Sequence, residues 1–119
     1  MTATVLVVDD DPRFRTLARR LLVGIGLNVI GEADSIAAAL SAAARIEPSA
    51  VLVDVGLPDG SGFTLARQLA DLPWGPRVVL TSADGDVGTA EAVELSGARA
   101  FVHKTDLPNA PLAELLGGG

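Results

Sequence analysis

Residues 4–12 read TVLVVDDDP, and this stretch decides the fold. The run TVLVV (4–8) is rich in β-branched residues and apolar on both faces, which is typical of a strand buried on both sides in a parallel sheet. Three acids follow at once. Asp11 before Pro12 has the pattern of a helix N-cap with proline at the first helical position. The stretch therefore predicts a strand, an acidic turn and a helix in direct succession.

The same alternation continues to the end of the chain. Further apolar runs are LNVIG (27–31), AVLV (50–53), RVVL (77–80) and AFVH (100–103). Helical periodicity fills the intervals, over 14–25, over 36–43 after a capping Ser35, over 65–72, around 87–93, and near 109–116 with Pro108 and Pro111 at the start. Five strands alternating with five helices predict an α/β fold, with helices on both faces of a parallel sheet.

Composition limits the classes of function. The chain has 119 residues, which suits one domain, and a net charge of −6, which argues against direct contact with nucleic acid. It contains no cysteine, so neither a disulfide framework nor a thiolate metal site is expected. No apolar run approaches the length of a membrane span and TVLVV is too short for a signal peptide, so we expect a cytoplasmic protein.

Polar residues follow several of the predicted strands directly. They are Asp9, Asp10 and Asp11 after the first, Asp54 after the third, Thr81 and Ser82 after the fourth, and Lys104 after the fifth. Because right-handed crossovers bring the carboxyl ends of parallel strands to one edge, these side chains are expected to converge there. Each has an ordinary interpretation in isolation, such as a cap for Asp11 or a structural or surface role for His103. Their joint placement instead indicates a site.

The clustered carboxylates point to a cation. Two unit charges about 4 Å apart interact by roughly 4 kcal/mol at an effective dielectric constant near 20, so three repulsions cost on the order of 10 kcal/mol. That rivals the stability of a domain, unless a cation fills the cluster or its pKa values rise. Oxygen ligands without His or Cys suit Mg²⁺ (or Mn²⁺), which pairs with phosphate oxygens. Lys104, the single lysine in the chain, would complete the charge balance.

At this point the chain resembles the receiver domain of bacterial two-component response regulators. VLVVDDDP is similar to the family's first strand with its acidic pair, and AVLVDVGLPDGSGF to the segment around its phosphoacceptor aspartate. VVLTSAD and GARAFVHK are similar to its fourth and fifth strands with their hydroxyl and lysine. The resemblance spans almost the whole chain. It implies a flavodoxin-like (βα)5 fold with strand order 2-1-3-4-5, over residues 1–119, with no effector domain in this chain.

The resemblance implies a role for each strand-end residue. Asp54 would accept a phosphoryl group from a histidine kinase's phosphohistidine as an acyl phosphate. Asp10 would bind Mg²⁺ directly, Asp9 mainly through water, and Gly56 through its backbone carbonyl. Lys104 would pair with the phosphoryl group.

A hydroxyl would follow the phosphoryl group inward, and an aromatic residue would act as the switch. Counting back from Lys104 favours Ser82 as this hydroxyl, whereas the strand pattern also allows Thr81. Phe101 occupies the aromatic switch position.

Three residues depart from the family's common pattern. Gly56 stands where many members carry a larger side chain that shapes water access to the phosphoryl group. Phe101 lacks the hydroxyl of a tyrosine. Thr105 follows the lysine where many members have proline, so a cis peptide is not expected there, because non-proline cis bonds cost about 2.5–4 kcal/mol.

The function expected from the resemblance is a phosphorylation-activated signalling switch. It would act through altered protein–protein contacts at the face formed by the fourth helix, fifth strand and fifth helix. Its partners would be a sensor histidine kinase and a downstream protein or effector domain, with homodimerisation left open and no direct nucleic-acid or membrane partner.

Two further functions fit parts of this pattern. One is a receiver-like interaction module that works without phosphorylation, which the complete set of acids, hydroxyl and lysine disfavours. The other is a Mg²⁺-dependent phosphohydrolase with an aspartyl nucleophile. That chemistry usually needs a second Asp two residues later as a general acid, where this chain has Gly56. We therefore do not expect a turnover enzyme.

Overall fold

Five parallel strands form the centre of the molecule. The computed structural model describes residues 2–117. Its strands are β1 (Thr4–Val8), β2 (Asn28–Ala33), β3 (Ala50–Asp54), β4 (Arg77–Ser82) and β5 (Ala100–His103), in the spatial order β2-β1-β3-β4-β5. This confirms the predicted sheet and its strand order. The predicted domain also includes residues 1, 118 and 119, which lie outside the described part.

Five α-helices cover the sheet. They are α1 (Pro12–Gly24), α2 (Ile36–Ile46), α3 (Gly62–Ala70), α4 (Ala90–Ser96) and α5 (Leu112–Gly117). The two predicted caps are confirmed, since Asp11 accepts from the Arg13 amide and Ser35 from the Ala38 amide. None of the helices between residues 2 and 117 combines the length and apolarity that crossing a bilayer requires.

Alternation along the strands divides the core into two layers. One layer packs alternate strand residues such as Leu6, Val53 and Leu80 against α2 and α3. The other packs their neighbours, such as Val7 and Leu52, against α1 and α5. Strand β3 is buried at all five positions, as expected for a central strand covered on both faces.

The last two α-helices begin later than the sequence predicts. The predicted helix around 87–93 instead starts after Thr89, whose hydroxyl accepts from the Ala92 amide and so caps α4. The helix predicted near 109–116 starts only at Leu112 as α5, and a 3₁₀ turn over Lys104–Asn109 precedes it. Ala110 precedes Pro111 and is extended, because proline disfavours helical geometry in the residue before it.

A short hairpin, residues 56–57 paired with 60–61, follows β3 and was not predicted. Asp59 ties this hairpin to α2, because its two carboxylate oxygens accept from the Ile36 and Ala37 amides at 2.8 and 3.1 Å. These bonds hold the pKa of Asp59 below its usual value. Its stabilising contribution is therefore present above the pKa of an unfolded aspartate and is lost as the pH falls through the lowered folded-state pKa.

Gly62 closes the chain back onto the end of β3. Its amide donates to the Val55 carbonyl at 2.7 Å. A Cβ at this position would collide with the Asp54 carbonyl and lie 2.8 Å from the Val55 Cα. Backbone atoms cannot rotate away as a side chain can, so this close approach requires glycine.

Gly62→Ala is therefore expected to destabilise the fold by on the order of 3 kcal/mol, through forced displacement of the loop that follows Asp54. Chemical unfolding measures this, followed by the fluorescence of Trp74, the single tryptophan, whose indole donates to the Pro48 carbonyl. Gly24→Ala is the matched control, because a Cβ there meets nothing within 4 Å. Equal stabilities for the two variants would contradict the packing argument.

Candidate functional site

The carboxyl ends of three neighbouring strands bring their predicted residues together. Asp9 follows β1, Asp54 ends β3 and Ser82 ends β4. Carboxylate oxygens of Asp9, Asp10 and Asp54 all lie within 4.8 Å of one another. The acidic cluster predicted from the sequence therefore exists in the folded protein.

Lys104 lies inside this cluster. Its Nζ is 2.7 Å from Asp9 Oδ2 and 3.6 Å from Asp54 Oδ1. Asp9 is fully buried and Lys104 is largely buried, with 21% of its side chain exposed. A single ammonium group thus faces two buried carboxylates.

The three carboxylates differ in how they are satisfied. Asp9 Oδ1 accepts from the Asp11 amide at 2.8 Å while Oδ2 is paired with Lys104, so both oxygens are engaged. Arg15 also donates to the Asp9 backbone carbonyl at 2.6 Å, which joins α1 to the acidic turn. Asp10 is exposed. Asp9 is therefore held by the protein, whereas Asp10 faces solvent.

The electrostatics single out Asp54. Burial, followed by the negative charge of Asp9, raises the pKa of Asp54 to about 6, although Lys104 acts in the opposite direction. A buried carboxylate with this raised pKa is poorly compensated by the protein alone. Three hard oxygen donors with unbalanced charge fit a divalent cation such as Mg²⁺.

Gly56 leaves the approach to Asp54 open. A Cβ at this position would lie 4.0 Å from Asp54 Oδ2. Any larger side chain here would therefore start from a point beside the Asp54 carboxylate. Because Gly56 has no side chain, space for water remains beside Asp54 Oδ2.

The two candidate hydroxyls have different surroundings. Ser82 is 9% exposed, and its Oγ accepts from the Asp84 amide at 3.0 Å. Thr81 pairs in register with Asp54, but it is fully buried and its Oγ1 has no hydrogen-bond partner among the described residues. Both hydroxyls are near the end of β4.

Phe101 lies partly buried on β5 against the loop before α4. A Cβ on Gly88 would overlap the Phe101 ring, so this ring position depends on glycine at residue 88. Beside it, His103 Nδ1 accepts from the Thr105 amide and caps the 3₁₀ turn that starts at Lys104, in keeping with the structural role expected for it. The described peptide bonds are all trans, including that between Lys104 and Thr105.

Several contacts of the site and of the loop that follows Asp54 are not identified from the sequence, among them those of Phe14 and Asp59. The centroid of the Phe14 ring lies 4.1 Å from Lys104 Nζ, whereas the sequence indicates only that residue 14 belongs to a periodic helix over 14–25. Asp59 belonged to a recognised loop motif, but nothing in its spacing indicated a bond to α2. Both contacts join residues that are far apart in the chain, so only the folded structure reveals them.

Comparison with known proteins agrees with this geometry. Residues 5–113 match the family model described as "Response regulator receiver domain". The chain is 35% identical over 105 residues to the DNA-binding transcriptional activator DevR/DosR of Mycobacterium tuberculosis, covering 87% of this chain and 48% of that protein. It is 27% identical over 104 residues to the chemotaxis protein CheY of Bacillus subtilis, covering 87% of both.

The structural likeness extends over the whole chain. The crystal structure of a LuxR-family two-component response regulator from an Aurantimonas species superposes with a TM-score of 0.86 and 27% identity, covering 99% of this chain and 87% of that one. The chain spans between 31% and 52% of the length of several curated relatives. Matching residues, sheet topology and acidic site together show that this chain belongs to the family of response regulator receiver domains.

Proposed function

We propose that the protein is a phosphorylation-activated signalling switch whose phosphoacceptor is Asp54. The observation that carries the proposal is the buried Asp54 carboxylate, with Lys104 Nζ 3.6 Å away and two further carboxylates beside it. Receiver domains are signalling switches rather than turnover enzymes, so the transfer would occur on the protein itself. Relatives named protein-glutamate methylesterases match over about 31% of their length. Their esterase name describes those longer proteins.

The transfer step needs few groups from the protein. An Asp54 carboxylate oxygen attacks the phosphorus of a phosphohistidine, the P–N bond breaks, and the imidazole leaves as an acyl phosphate forms. Lys104 offsets negative charge on the transferred group, as positioned cations do in phosphoryl transfer generally. Asp54 must be ionised to attack, and a pKa raised to about 6 still leaves most of it ionised at pH 7.

Asp9, Asp10 and Asp54 are the residues that would hold Mg²⁺ (or Mn²⁺), with the Gly56 carbonyl as a fourth donor. We assign Asp10 to direct contact and Asp9 to contact through water. Both oxygens of Asp9 are already engaged, by the Asp11 amide and by Lys104, which supports this assignment. When bound, the cation would neutralise charge on the phosphoryl oxygens.

Ser82 is our choice over Thr81 for the hydroxyl that binds the phosphoryl group. Its Oγ accepts from the Asp84 amide, so its own hydrogen remains free to donate. Ser82 is also slightly exposed, whereas Thr81 is fully enclosed. A donated hydrogen bond would draw Ser82 inward and alter its surroundings.

The response would spread through Phe101. Its ring lies over the backbone of Gly88, in the loop that leads into α4. That loop follows Ser82 directly, so movement of Ser82 would shift the loop and change the space available to the ring, and with it the face formed by α4, β5 and α5. A switch of this kind needs no tyrosine hydroxyl.

The proposal extends to partners and location. A sensor histidine kinase would supply the phosphoryl group, and a downstream protein or effector domain would read the switched face. Homodimerisation would be one form of that output. The receiver domain would comprise residues 1–119 and would contact neither nucleic acid nor membrane. We place it in the cytoplasm. DevR/DosR, the relative named as DNA-binding, is about twice as long as the part that matches.

Incubation with a small phosphodonor and Mg²⁺ is expected to phosphorylate wild type and not Asp54→Asn, because the amide cannot act as the nucleophile. Intact-mass spectrometry measures the label. Asp71→Asn, at an exposed carboxylate after α3, is the matched control and should label as wild type does. If Asp54→Asn labels equally well, the assignment is wrong.

A different result would be that wild type takes up no label and that its amide NMR spectrum does not change when Mg²⁺ and beryllofluoride are added. That result would favour the interaction module that works without phosphorylation. Both functions predict the same fold, so the response to phosphorylation is what separates them. Chelation of Mg²⁺ should abolish labelling under the proposed mechanism.

Lys104→Arg is expected to fold and to switch poorly. Arginine's planar fork needs a different geometry from the compact ammonium that fits between Asp9 and Asp54. The check is the amide NMR spectrum of the variant with Mg²⁺ and beryllofluoride, which should show smaller changes around Phe101 than in wild type. Normal phosphorylation with a normal spectral response would refute the role assigned to Lys104.

In the absence of metal, the free energy of unfolding is expected to decrease as the pH rises from about 4 to about 6 and then to level off. The pKa of Asp54 is raised above its unfolded value, so its contribution is complete below the unfolded pKa and is lost as the pH rises through about 6. The effect should be on the order of 3 kcal/mol and absent in Asp54→Asn.

Mg²⁺ should reverse this loss at pH 7–8 and have little effect at pH 5, where Asp54 is protonated. Thermal unfolding with and without Mg²⁺ across this pH range measures the pH dependence of stability and the stabilisation by Mg²⁺. An equal shift in Tm at pH 5 and pH 8 would contradict the raised pKa.

A further inference from the structure

The ammonium group of Lys104 has an aromatic neighbour as well as two anionic ones. Its Nζ lies 4.1 Å from the centroid of the Phe14 ring, within the range of a cation–π contact. Asp9 is 2.7 Å away and Asp54 is 3.6 Å away. The carboxylate that holds Lys104 most closely is therefore Asp9, not the phosphoacceptor.

Phe14 is fixed in relation to the acidic turn. It lies in the first turn of α1, which starts at Pro12 after the Asp11 cap. The Arg15 guanidinium binds the Asp9 carbonyl and so anchors this turn to the end of β1. The backbone that carries Phe14 is thus held close to Asp9 independently of the lysine.

The lysine side chain also borders an apolar cavity of about 80 Å³ between α1 and the turn before α5. The other residues around this cavity are Phe14, Leu17, Ala18, Leu21, Leu107 and Pro108. Such an apolar boundary suits the hydrocarbon stem of a lysine while its charged end reaches the carboxylates. None of these other side chains is polar, so none of them draws the ammonium away.

We propose that Phe14 is a positioning residue, whose ring keeps the Lys104 ammonium facing the Asp54 carboxylate. The inference rests on the proposed phosphorylation of Asp54. Asp9 is also a candidate metal residue, so its attraction for Lys104 weakens when a cation shares its charge. The attraction of the ring does not depend on the state of the carboxylates. Phe14 therefore confines the flexible lysine stem in both states.

The contact can be detected without phosphorylation. Lys104 is the single lysine, so its Cε–Hε resonances are unique in the spectrum. Protons above an aromatic ring are shifted upfield by the ring current, and we expect this shift in wild type and its loss in Phe14→Leu. Phe63→Leu is the matched control, because Phe63 packs in the core layer on the other face of the sheet. Its lysine resonances should match those of wild type.

A graded test separates positioning from packing. Site-specific replacement of Phe14 by mono-, di- and trifluorinated phenylalanine weakens the negative face of the ring with little change in size. The rate of phosphorylation by phosphoramidate, at saturating Mg²⁺, should fall stepwise with the number of fluorines. The total loss should lie between about twofold and thirtyfold, the range that cation–π contacts support. The same series at Phe63 should leave the rate unchanged.

The outcomes distinguish this proposal from the proposed function. An upfield shift with a rate that does not depend on fluorination would make Phe14 a packing residue and overturn the proposal. Absence of the shift in wild type would overturn it as well. Wild type that accepts no phosphoryl group would overturn the proposed function and with it the positioning role. In that case the lysine resonances would still show whether the contact itself exists.

Discussion

Repulsion among clustered carboxylates, two of them buried, is the constraint on which this site depends. Asp9, Asp10 and Asp54 have oxygens within 4.8 Å of one another, and one ammonium group lies among them. At such separations a single pair of charges interacts by several kcal/mol at an effective dielectric constant near 20, a large share of a domain's stability. Lys104 offsets part of this cost. Burial, and then the charge of Asp9, still raise the pKa of Asp54, and a cation or a chemical change at Asp54 can relieve this cost.

The scaffold keeps the carboxylates from separating. Strands β1 and β3 are adjacent and deeply buried, so the ends that carry Asp9 and Asp54 cannot move independently. After Asp54 the chain is held by the close approach of Gly62 and by the Asp59 bonds to α2. The favourable packing of the core therefore offsets the repulsion between these like charges.

Most of the fold was predictable because the sheet and its helices have strong local signals. Short β-branched runs and 3.6-residue periodicity located all five strands and all five α-helices, and Asp11 and Ser35 are local caps. The starts of α4 and α5 were less predictable, because the Thr89 cap and the extension of Ala110 before Pro111 compete with periodicity over short segments. The hairpin after β3 has two-residue strands, too short to show a period.

By itself the sequence determined which residues stand at the strand ends, because the alternation of buried strands and amphipathic helices is a local pattern. It also determined that acids, hydroxyls and one lysine share an edge, since parallel strands must end together. Only the tertiary structure decided how they pair. Lys104 and Asp9 are 95 residues apart, and so are outside any local pattern. The ring of Phe14, the burial of Asp9 and the raised pKa of Asp54 arise from packing between elements, because dielectric surroundings and charge separations exist only once the chain has folded.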